Sequence, residues 1–311
     1  MTSFSAPGKL FLIGEYAVLH GGTAVVAAVD RRAVARFVPG AAPSTPLIAE
    51  ALNVVAAYAR EQNLPLPDGA PQVDSSALSQ DGQKLGLGSS AAAVVAAMGA
   101  LWDVLGQAAD ALPLSLALKA HRQAQGGRGS GGDVAAALQG GVIAYARPGQ
   151  VDQVVRALPV EIPAQLVVFR AGDPAATVQF LHAVERLEAR DPAEHAAHVR
   201  LIAEAAARFV RAYEAADGGG LLASVAAAHE ALQALGNAAD VPIVTPALQT
   251  AAALARGCGG AAKGSGAGGG DVGIGFFPDG ESADAFRARA AKLDLEILSI
   301  TTGARGLSRD G

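Results

Sequence analysis

A glycine-rich segment followed directly by an alanine-rich stretch, 86-GLGSSAAAVVAAMGALW-102, is the feature that most constrains the fold of this chain. Gly86 and Gly88 remove side-chain bulk, so backbone N–H groups can approach a ligand closely. The alanine-rich stretch predicts a helix whose N-terminus carries unpaired N–H groups and the positive end of the helix dipole. A phosphate group suits such a place. The plainer alternative is that Ser89 or Ser90 only caps the helix, but capping leaves the two glycines unexplained.

Length and charge limit the classes of protein that need to be considered. At 311 residues the chain exceeds what one hydrophobic core usually serves, so we expect two domains, residues 1–160 and 161–311. The apolar fraction of 51% is typical of a globular protein, and the net charge of −5 argues against nucleic-acid binding. An anionic ligand must therefore be held locally, by a few cations and by backbone N–H groups.

The sequence offers no disulfide, zinc motif or membrane signal. Cys258 is the single cysteine, and the apolar stretch of residues 91–102 is shorter than the roughly 20 residues that span a bilayer. The N-terminal segment lacks the basic region of a signal peptide. His195 and His198 have helical spacing but no third ligand beside them, so we interpret them as part of a solvated helix face. A cytoplasmic location without membrane contact is expected.

Hydrophobic periodicity predicts an α+β fold in which strands and helices alternate unevenly. The chain opens with predicted strands, LFLIG, TAVVAAV and AVARFV, followed by a helix over LIAEALNVVAAYAREQ. Later helices are predicted at residues 114–125, 193–216, 221–236, 246–256 and 282–293, and later strands at GGVIAYARP, QLVVFRAG, VGIGFF and LEILSI. The tail GARGLSRDG carries no predicted element and is a candidate for disorder.

Three segments match the loose pattern G-x-G-x-x-G/A: 86-GLGSSA-91, 127-GRGSGG-132 and 264-GSGAGG-269. In a chain with 38 glycines this pattern alone means little. The first two lack the preceding strand that a dinucleotide site requires, and no lysine is followed by Ser or Thr as in a P-loop. Simple turns need fewer glycines, so close backbone approach to a ligand is the better interpretation.

Three segments resemble the three ordered motifs of the GHMP kinase superfamily: 6-APGKLFLIGEYAVLHGG-22, 86-GLGSSAA-92 and 263-KGSGAGGGD-271. The resemblance runs from residue 6 to residue 277. It implies a two-domain kinase fold, with an N-terminal domain like ribosomal protein S5 and a C-terminal ferredoxin-like α/β sandwich. It also implies ATP and Mg²⁺ as cofactors, and a monomer or homodimer.

Details of the motifs indicate the acceptor. GEYAVLHGG is typical of the mevalonate branch, while 129-GSGGDVAA-136, 171-AGDPAATVQF-180 and Asp271 resemble members whose acceptor already carries a phosphate. The implied reaction is ATP-dependent phosphorylation of (R)-5-phosphomevalonate to 5-diphosphomevalonate, in the mevalonate route to isoprenoids. Mevalonate or another small molecule is the alternative acceptor. A non-catalytic sensor of ATP or a metabolite is a further alternative, although it would need no transfer chemistry.

The resemblance also implies roles for individual residues. Those expected to act in catalysis are Lys9, Lys84 and Asp133. Those expected to hold the ATP phosphates are Gly86, Leu87, Gly88, Ser89, Ser90 and Ala91, with Ser90 also near Mg²⁺. Those expected to bind the substrate are Arg128, Ser130, Ser265, Gly266, Ala267 and Gly268. The plain alternatives are solvated surface lysines and, for Asp133, a helix cap.

Overall fold

The computed structural model describes residues 2–127, 129–147, 154–172, 177–270, 272–293 and 295–310, without the side chains of residues 177 and 178. The strands are β1 (Ser3–Ile13), β2 (Thr23–Pro39), β3 (Gly69–Asp74), β4 (Ser79–Gln80), β5 (Gln83–Lys84), β6 (Val142–Ala146), β7 (Val154–Leu158), β8 (Gln165–Arg170), β9 (Ala261–Gly264), β10 (Val272–Phe277), β11 (Ile297–Leu298) and β12 (Ser308–Asp310). The helices are α1 (Pro46–Glu61), α2 (Ser89–Val104), α3 (Leu114–Ala124), α4 (Gly132–Gln139), α5 (Thr177–Arg190), α6 (Pro192–Glu214), α7 (Gly218–Ala238), α8 (Pro246–Arg256) and α9 (Gly280–Ala290).

Local sequence explains where several helices begin. Thr45 and Thr245 each precede a proline, and their hydroxyl oxygens accept from the backbone N–H three residues on, at 3.3 Å in both cases. Proline at the first helical position costs nothing because its missing N–H would be unpaired there anyway. The predicted helices over these segments are confirmed. Within the described part of the chain, none of the helices combines the length and the apolar composition needed to cross a membrane.

Two sheets organise the strands. One has the order β12-β1-β2-β6-β7, with β3 also paired to β2, and the other has the order β11-β8-β10-β9. All the described pairings of the second sheet are antiparallel. Two predicted strands, TAVVAAV and AVARFV, prove to be the halves of one strand, β2. The observed mixture confirms the predicted α+β class.

The chain divides into two compact units that are discontinuous in sequence. The first comprises Met1–Leu10, Ala27–Ile143 and Thr301–Gly311, and the second comprises Phe11–Val26 and Ala144–Ile300. In the first unit, α2 is buried from Ala91 to Trp102. In the second, an aromatic core joins Phe169, Phe277 and Phe286. The expected division into domains of residues 1–160 and 161–311 stays a prediction, because the two compact units are each built from separate segments of the chain.

The expectation of a disordered tail is wrong. Residues 308–310 form β12, which pairs antiparallel with β1, and the Arg32 guanidinium donates to the carbonyl oxygens of Ser5 and Gly306, at 2.8 Å each. Gly99 of α2 leaves room for Leu307, because a Cβ at Gly99 would lie 2.7 Å from a methyl group of Leu307. The tail is thus ordered by contacts with residues far away in the sequence, which local periodicity cannot indicate.

Candidate active site

The glycine-rich loop before α2 ends in a left-handed residue. Gly86 has φ 68° and Gly88, the residue that precedes α2, has φ 75° and ψ 38°, a conformation that glycine adopts without steric cost. No described side chain caps α2. Ser89 and Ser90 lie inside the first turn, so the alternative in which either of them caps the helix is wrong. The residue that precedes α2 therefore has no side chain to accept hydrogen bonds from the N-terminal N–H groups of the helix.

Most other helices of the chain begin differently. A Thr or Asp side chain accepts a hydrogen bond from the first turn of five of them. The capping residues are Thr45, Asp191, Asp217, Thr245 and Asp279. Helix α4, like α2, instead follows a left-handed glycine, Gly131 with φ 87°, which has no side chain to cap the helix. Both of these helices follow glycine-rich loops that the sequence analysis assigned to ligand binding, and the loop before α2 is the one assigned to a phosphate.

Lys9 is held against the loop before α2. Its side chain is only 8% exposed, and Nζ donates to the carbonyl oxygen of Gly86 at 3.1 Å. The backbone N–H of Lys9 donates to the carbonyl oxygen of Leu87 at 2.8 Å. A Cβ at Gly88 would lie 2.9 Å from Cγ of Lys9, so only glycine leaves room for this side chain. The alternative of a solvated surface lysine is therefore wrong for Lys9.

Lys84 lies in a different environment. It is exposed on β5, opposite Ser79 of β4 in a short hairpin. The ammonium group is therefore free to move on a flexible stem, unlike that of Lys9.

A polar cluster connects the starts of α2 and α4 through the end of α3. His121 Nε2 lies 3.2 Å from Ser90 Oγ, 3.0 Å from Gln125 Nε2 and 3.9 Å from Asp133 Oδ2. Gln125 also donates to Ser90 Oγ, at 3.3 Å. His121 is 3% exposed, so this cluster lies on a buried imidazole. The structure thus brings Ser90 and Asp133 to the same ring.

His121 and Gln125 were missed by the sequence reasoning. Their spacing of four residues at the end of a helix places both on one face, directly before the second glycine loop, and this signal was available. Asp133 Oδ1 accepts from the N–H of Val134 at 2.9 Å, inside the first turn of α4. Ser130 Oγ accepts from the N–H of Gly132 at 3.3 Å. Arg128, predicted to bind substrate, lies outside the described residues.

The third glycine loop, residues 265–270, connects β9 to β10 in the second unit. Ser265 is buried, and its hydroxyl oxygen accepts from the N–H of Phe11 at 2.9 Å. The N–H of Gly266 donates to Glu15 Oε1 at 3.3 Å, and the carbonyl oxygen of Ala267 accepts from the Tyr16 hydroxyl at 2.5 Å. Three successive loop residues are thereby bound to the end of β1 and to the segment that follows it.

A buried ion pair supports this loop. Lys263 is fully buried and Glu15 is 3% exposed, and the distance from Nζ to Oε1 is 2.5 Å. The Lys263 ammonium also donates to the carbonyl oxygen of Gly264 at 2.6 Å. Burial lowers the pKa of Lys263, which the carboxylate of Glu15 opposes. Burial raises the pKa of the neighbouring Tyr16 phenol well above its usual range, so that group stays a hydrogen-bond donor.

The sequence reasoning did not assign roles to Glu15, Tyr16 or Lys263. All three stand inside the quoted motifs, but their pairing spans about 250 positions of the chain. Asp271, which helped to indicate the acceptor, lies outside the described residues.

Comparison with known proteins identifies the class. The model for the GHMP kinases N terminal domain matches residues 46–141, and the model for the GHMP kinases C terminal domain matches residues 220–293. The chain belongs to the GHMP kinase family, which confirms the resemblance in its motifs. Within that family, a phosphomevalonate kinase from Streptomyces sp. (strain CL190) is 31% identical, over 91% of this chain and 92% of that protein.

Solved structures of known proteins share the fold of this chain. The Lin0012 protein from Listeria innocua has a TM-score of 0.90 at 26% identity, covering 99% of both chains. The Streptococcus pneumoniae phosphomevalonate kinase in complex with phosphomevalonate and AMPPNP has a TM-score of 0.84 at 20% identity, covering 97% of this chain and 100% of that one. These similarities confirm the predicted two-domain GHMP kinase fold.

Proposed function

We propose that this chain transfers the γ-phosphoryl group of ATP to (R)-5-phosphomevalonate, giving ADP and 5-diphosphomevalonate. A bond forms between an oxygen of the acceptor phosphate and the γ-phosphorus, and the bond from that phosphorus to the β–γ bridging oxygen breaks. The observation that carries the proposal is the relation at 31% identity, over nearly the whole chain, to a phosphomevalonate kinase. The glycine start of α2, with Lys9 packed against it, supplies the matching local chemistry.

On the nucleotide side, we assign the β- and γ-phosphates of ATP to the backbone N–H groups of residues 86–91. A left-handed residue followed by helical residues turns successive N–H groups toward one point, which suits an anion. The absence of a described side-chain cap on α2 fits this use, because a capping oxygen would compete with the phosphate. Lys9 adds a positive charge beside the same loop.

The residues present also fit a Mg²⁺ ion bound with the nucleotide. Ser90 Oγ is an oxygen ligand of the type that Mg²⁺ prefers. The Asp133 carboxylate lies close by, because Asp133 Oδ2 and Ser90 Oγ are 3.9 Å and 3.2 Å from the same nitrogen of His121. When bound, Mg²⁺ neutralises charge on the phosphate oxygens during transfer. The hydrogen bonds of Ser90 Oγ with His121 and Gln125 hold the Ser90 hydroxyl in place.

On the acceptor side, we assign Asp133 to positioning. A phosphate acceptor is already ionised, so it needs a general base less than an alcohol does. Lys84, Arg128 and Ser130 remain proposed contacts to the transferred or acceptor phosphate. Further proposed substrate contacts are Ser265, Gly266, Ala267 and Gly268. Ser265 Oγ accepts one hydrogen bond within the protein and can still donate its own hydrogen to a ligand.

The test is ADP release from the purified protein with Mg-ATP, measured in parallel with (R)-5-phosphomevalonate and (R)-mevalonate. Turnover only with the phosphorylated acceptor is the expected result. Turnover only with mevalonate would keep the family and the ATP loop but overturn the acceptor. Binding of ATP with no turnover of either compound would favour a metabolite sensor.

Variants at two sites test the assigned residues. We expect Asp133→Asn and Lys9→Met to lower kcat at least about 100-fold, the scale seen when one transition-state contact is removed. Circular dichroism and thermal melts serve as the folding control. Activity within a few-fold of wild type in a folded variant would remove that residue from the site. A cytoplasmic location and a monomeric or homodimeric state remain predictions.

A further inference from the structure

Three metal-ligating side chains meet in the second unit, and none of them has a role assigned in phosphoryl transfer. His20 ends the helical turn Ala17–His20 after β1, Glu188 lies in the last turn of α5, and His195 lies in the first turn of α6. Glu188 Oε1 is 3.9 Å from His20 Nδ1 and 4.0 Å from His195 Nδ1. The two imidazole rings are 4.8 Å apart in an edge-to-face arrangement.

The interpretation of His195 as part of a solvated helix face is wrong, because this residue is only 3% exposed. Spacing along α6 offered only His198 as a companion, whereas folding brings His20 and Glu188 from two other segments. The three candidate ligand atoms all lie within 4.8 Å of one another. Among the residues that the structure describes, no other three His, Cys, Asp or Glu side chains meet in this way.

A tetrahedral ion with bonds of about 2.1 Å holds its ligand atoms about 3.4 Å apart, so the two distances from Glu188 Oε1 must shrink by roughly half an ångström. The separation between the two histidine nitrogens, which lies within 4.8 Å, must shrink by up to about 1.4 Å. Glu188 and His20 are 48% and 33% exposed and can move toward an ion, while His195 is only 4% exposed and provides a fixed point. The second ring nitrogen of His195 is buried without a hydrogen-bond partner among the described residues.

The donor set indicates which ions would bind. Two imidazole nitrogens and one carboxylate oxygen suit Zn²⁺, Co²⁺ and similar transition metals, whereas Mg²⁺ and Ca²⁺ prefer oxygen ligands alone. His20 is 33% exposed, which leaves water access to a fourth position.

We propose that His20, Glu188 and His195 form a binding site for one divalent transition metal ion of the zinc type. The ion ties the segment after β1 to the junction of α5 and α6 and stabilises the second unit by binding only its folded form.

The test uses the full chain without a polyhistidine tag, stripped with a chelator and titrated with Co²⁺. We expect an absorption band between about 500 and 650 nm that saturates at one ion per chain, as for tetrahedral cobalt at zinc-type sites. Zn²⁺ should displace the band and millimolar Mg²⁺ should not. His20→Ala and Glu188→Gln should each weaken Zn²⁺ binding at least about tenfold in calorimetry.

Matched controls make the outcome decisive. His182→Ala removes a histidine from α5 outside the cluster and should leave Zn²⁺ affinity unchanged. Zn²⁺ should raise the Tm of the wild type and of His182→Ala but not that of His20→Ala. Because His20 is partly exposed, its variant should fold even where a substitution of buried His195 fails to. Absence of a cobalt band, or a band that survives unchanged in His20→Ala and Glu188→Gln, would overturn the proposal.

Discussion

Replacing Lys263 by methionine tests the ion pair that supports the third glycine loop. The variant leaves the Glu15 carboxylate buried with the N–H of Gly266, at 3.3 Å, as its remaining described donor. Removing one partner of a buried pair costs about 3–5 kcal/mol, because the other charge stays uncompensated. We expect a loss of that size in the free energy of unfolding of the β9–β10 region.

The measurement is hydrogen exchange by mass spectrometry on peptides covering residues 261–277, with urea unfolding followed by far-UV circular dichroism. Local exchange is preferred because a two-unit chain need not unfold in one step. The double variant Glu15→Gln/Lys263→Met removes both charges and should lose less than Lys263→Met alone. The control is Arg287→Met, which breaks an exposed pair with Asp284 and should cost at most about 1 kcal/mol. If Lys263→Met costs no more than this control, the reasoning about an uncompensated buried charge is refuted.

Two further predictions concern a loop and a buried histidine. Gly88→Ala should raise the KM for ATP and lower kcat, because a Cβ at Gly88 would meet the Lys9 side chain. Gly82 has a similar φ of 77° but lies in open space, so Gly82→Ala should leave both constants near wild type. Equal effects of the two variants in steady-state kinetics would contradict this reasoning. Burial lowers the pKa of His229, so the unfolded chain takes up its proton first as pH falls below about 6.5 and the folded state loses stability there. Urea unfolding from pH 8 to pH 5 should show a flatter profile for His229→Gln than for the wild type, and parallel profiles would refute the assignment.

The sequence predicted those features that depend on neighbouring residues. Hydrophobic periodicity predicted α1 and α8 and the alanine-rich stretch predicted α2, and the structure confirms these helices. The ordered tail, the ring of His121 between Ser90 and Asp133, and the pair of Glu15 with Lys263 depend on which distant segments meet. Hydrophobic periodicity carries no information on contacts between distant segments, although His121, Glu15 and Lys263 lie inside or beside the motifs that the sequence analysis identified.

The second glycine start offers a way to separate the two substrates. Gly88 and Gly131 precede α2 and α4 with φ of 75° and 87°, and each forms the kind of backbone concavity that binds an anion. Because ATP and a phosphorylated acceptor both carry phosphate groups, each of the two concavities could bind the phosphate of one substrate. We expect Gly131→Ala to raise the KM for the phosphorylated acceptor more than the KM for ATP, and Gly88→Ala to do the reverse.

Steady-state kinetics with each substrate varied in turn measures both constants in both variants. Alanine at a positive φ strains the backbone at both positions, and at Gly88 it also meets Lys9, so the informative result is which KM rises in each variant rather than how much activity is lost. The same pattern in both variants would mean that the two loops do not divide the substrates between them. A larger effect of Gly131→Ala on ATP would instead move the nucleotide phosphates toward α4, and would require the roles of the two helices to be exchanged.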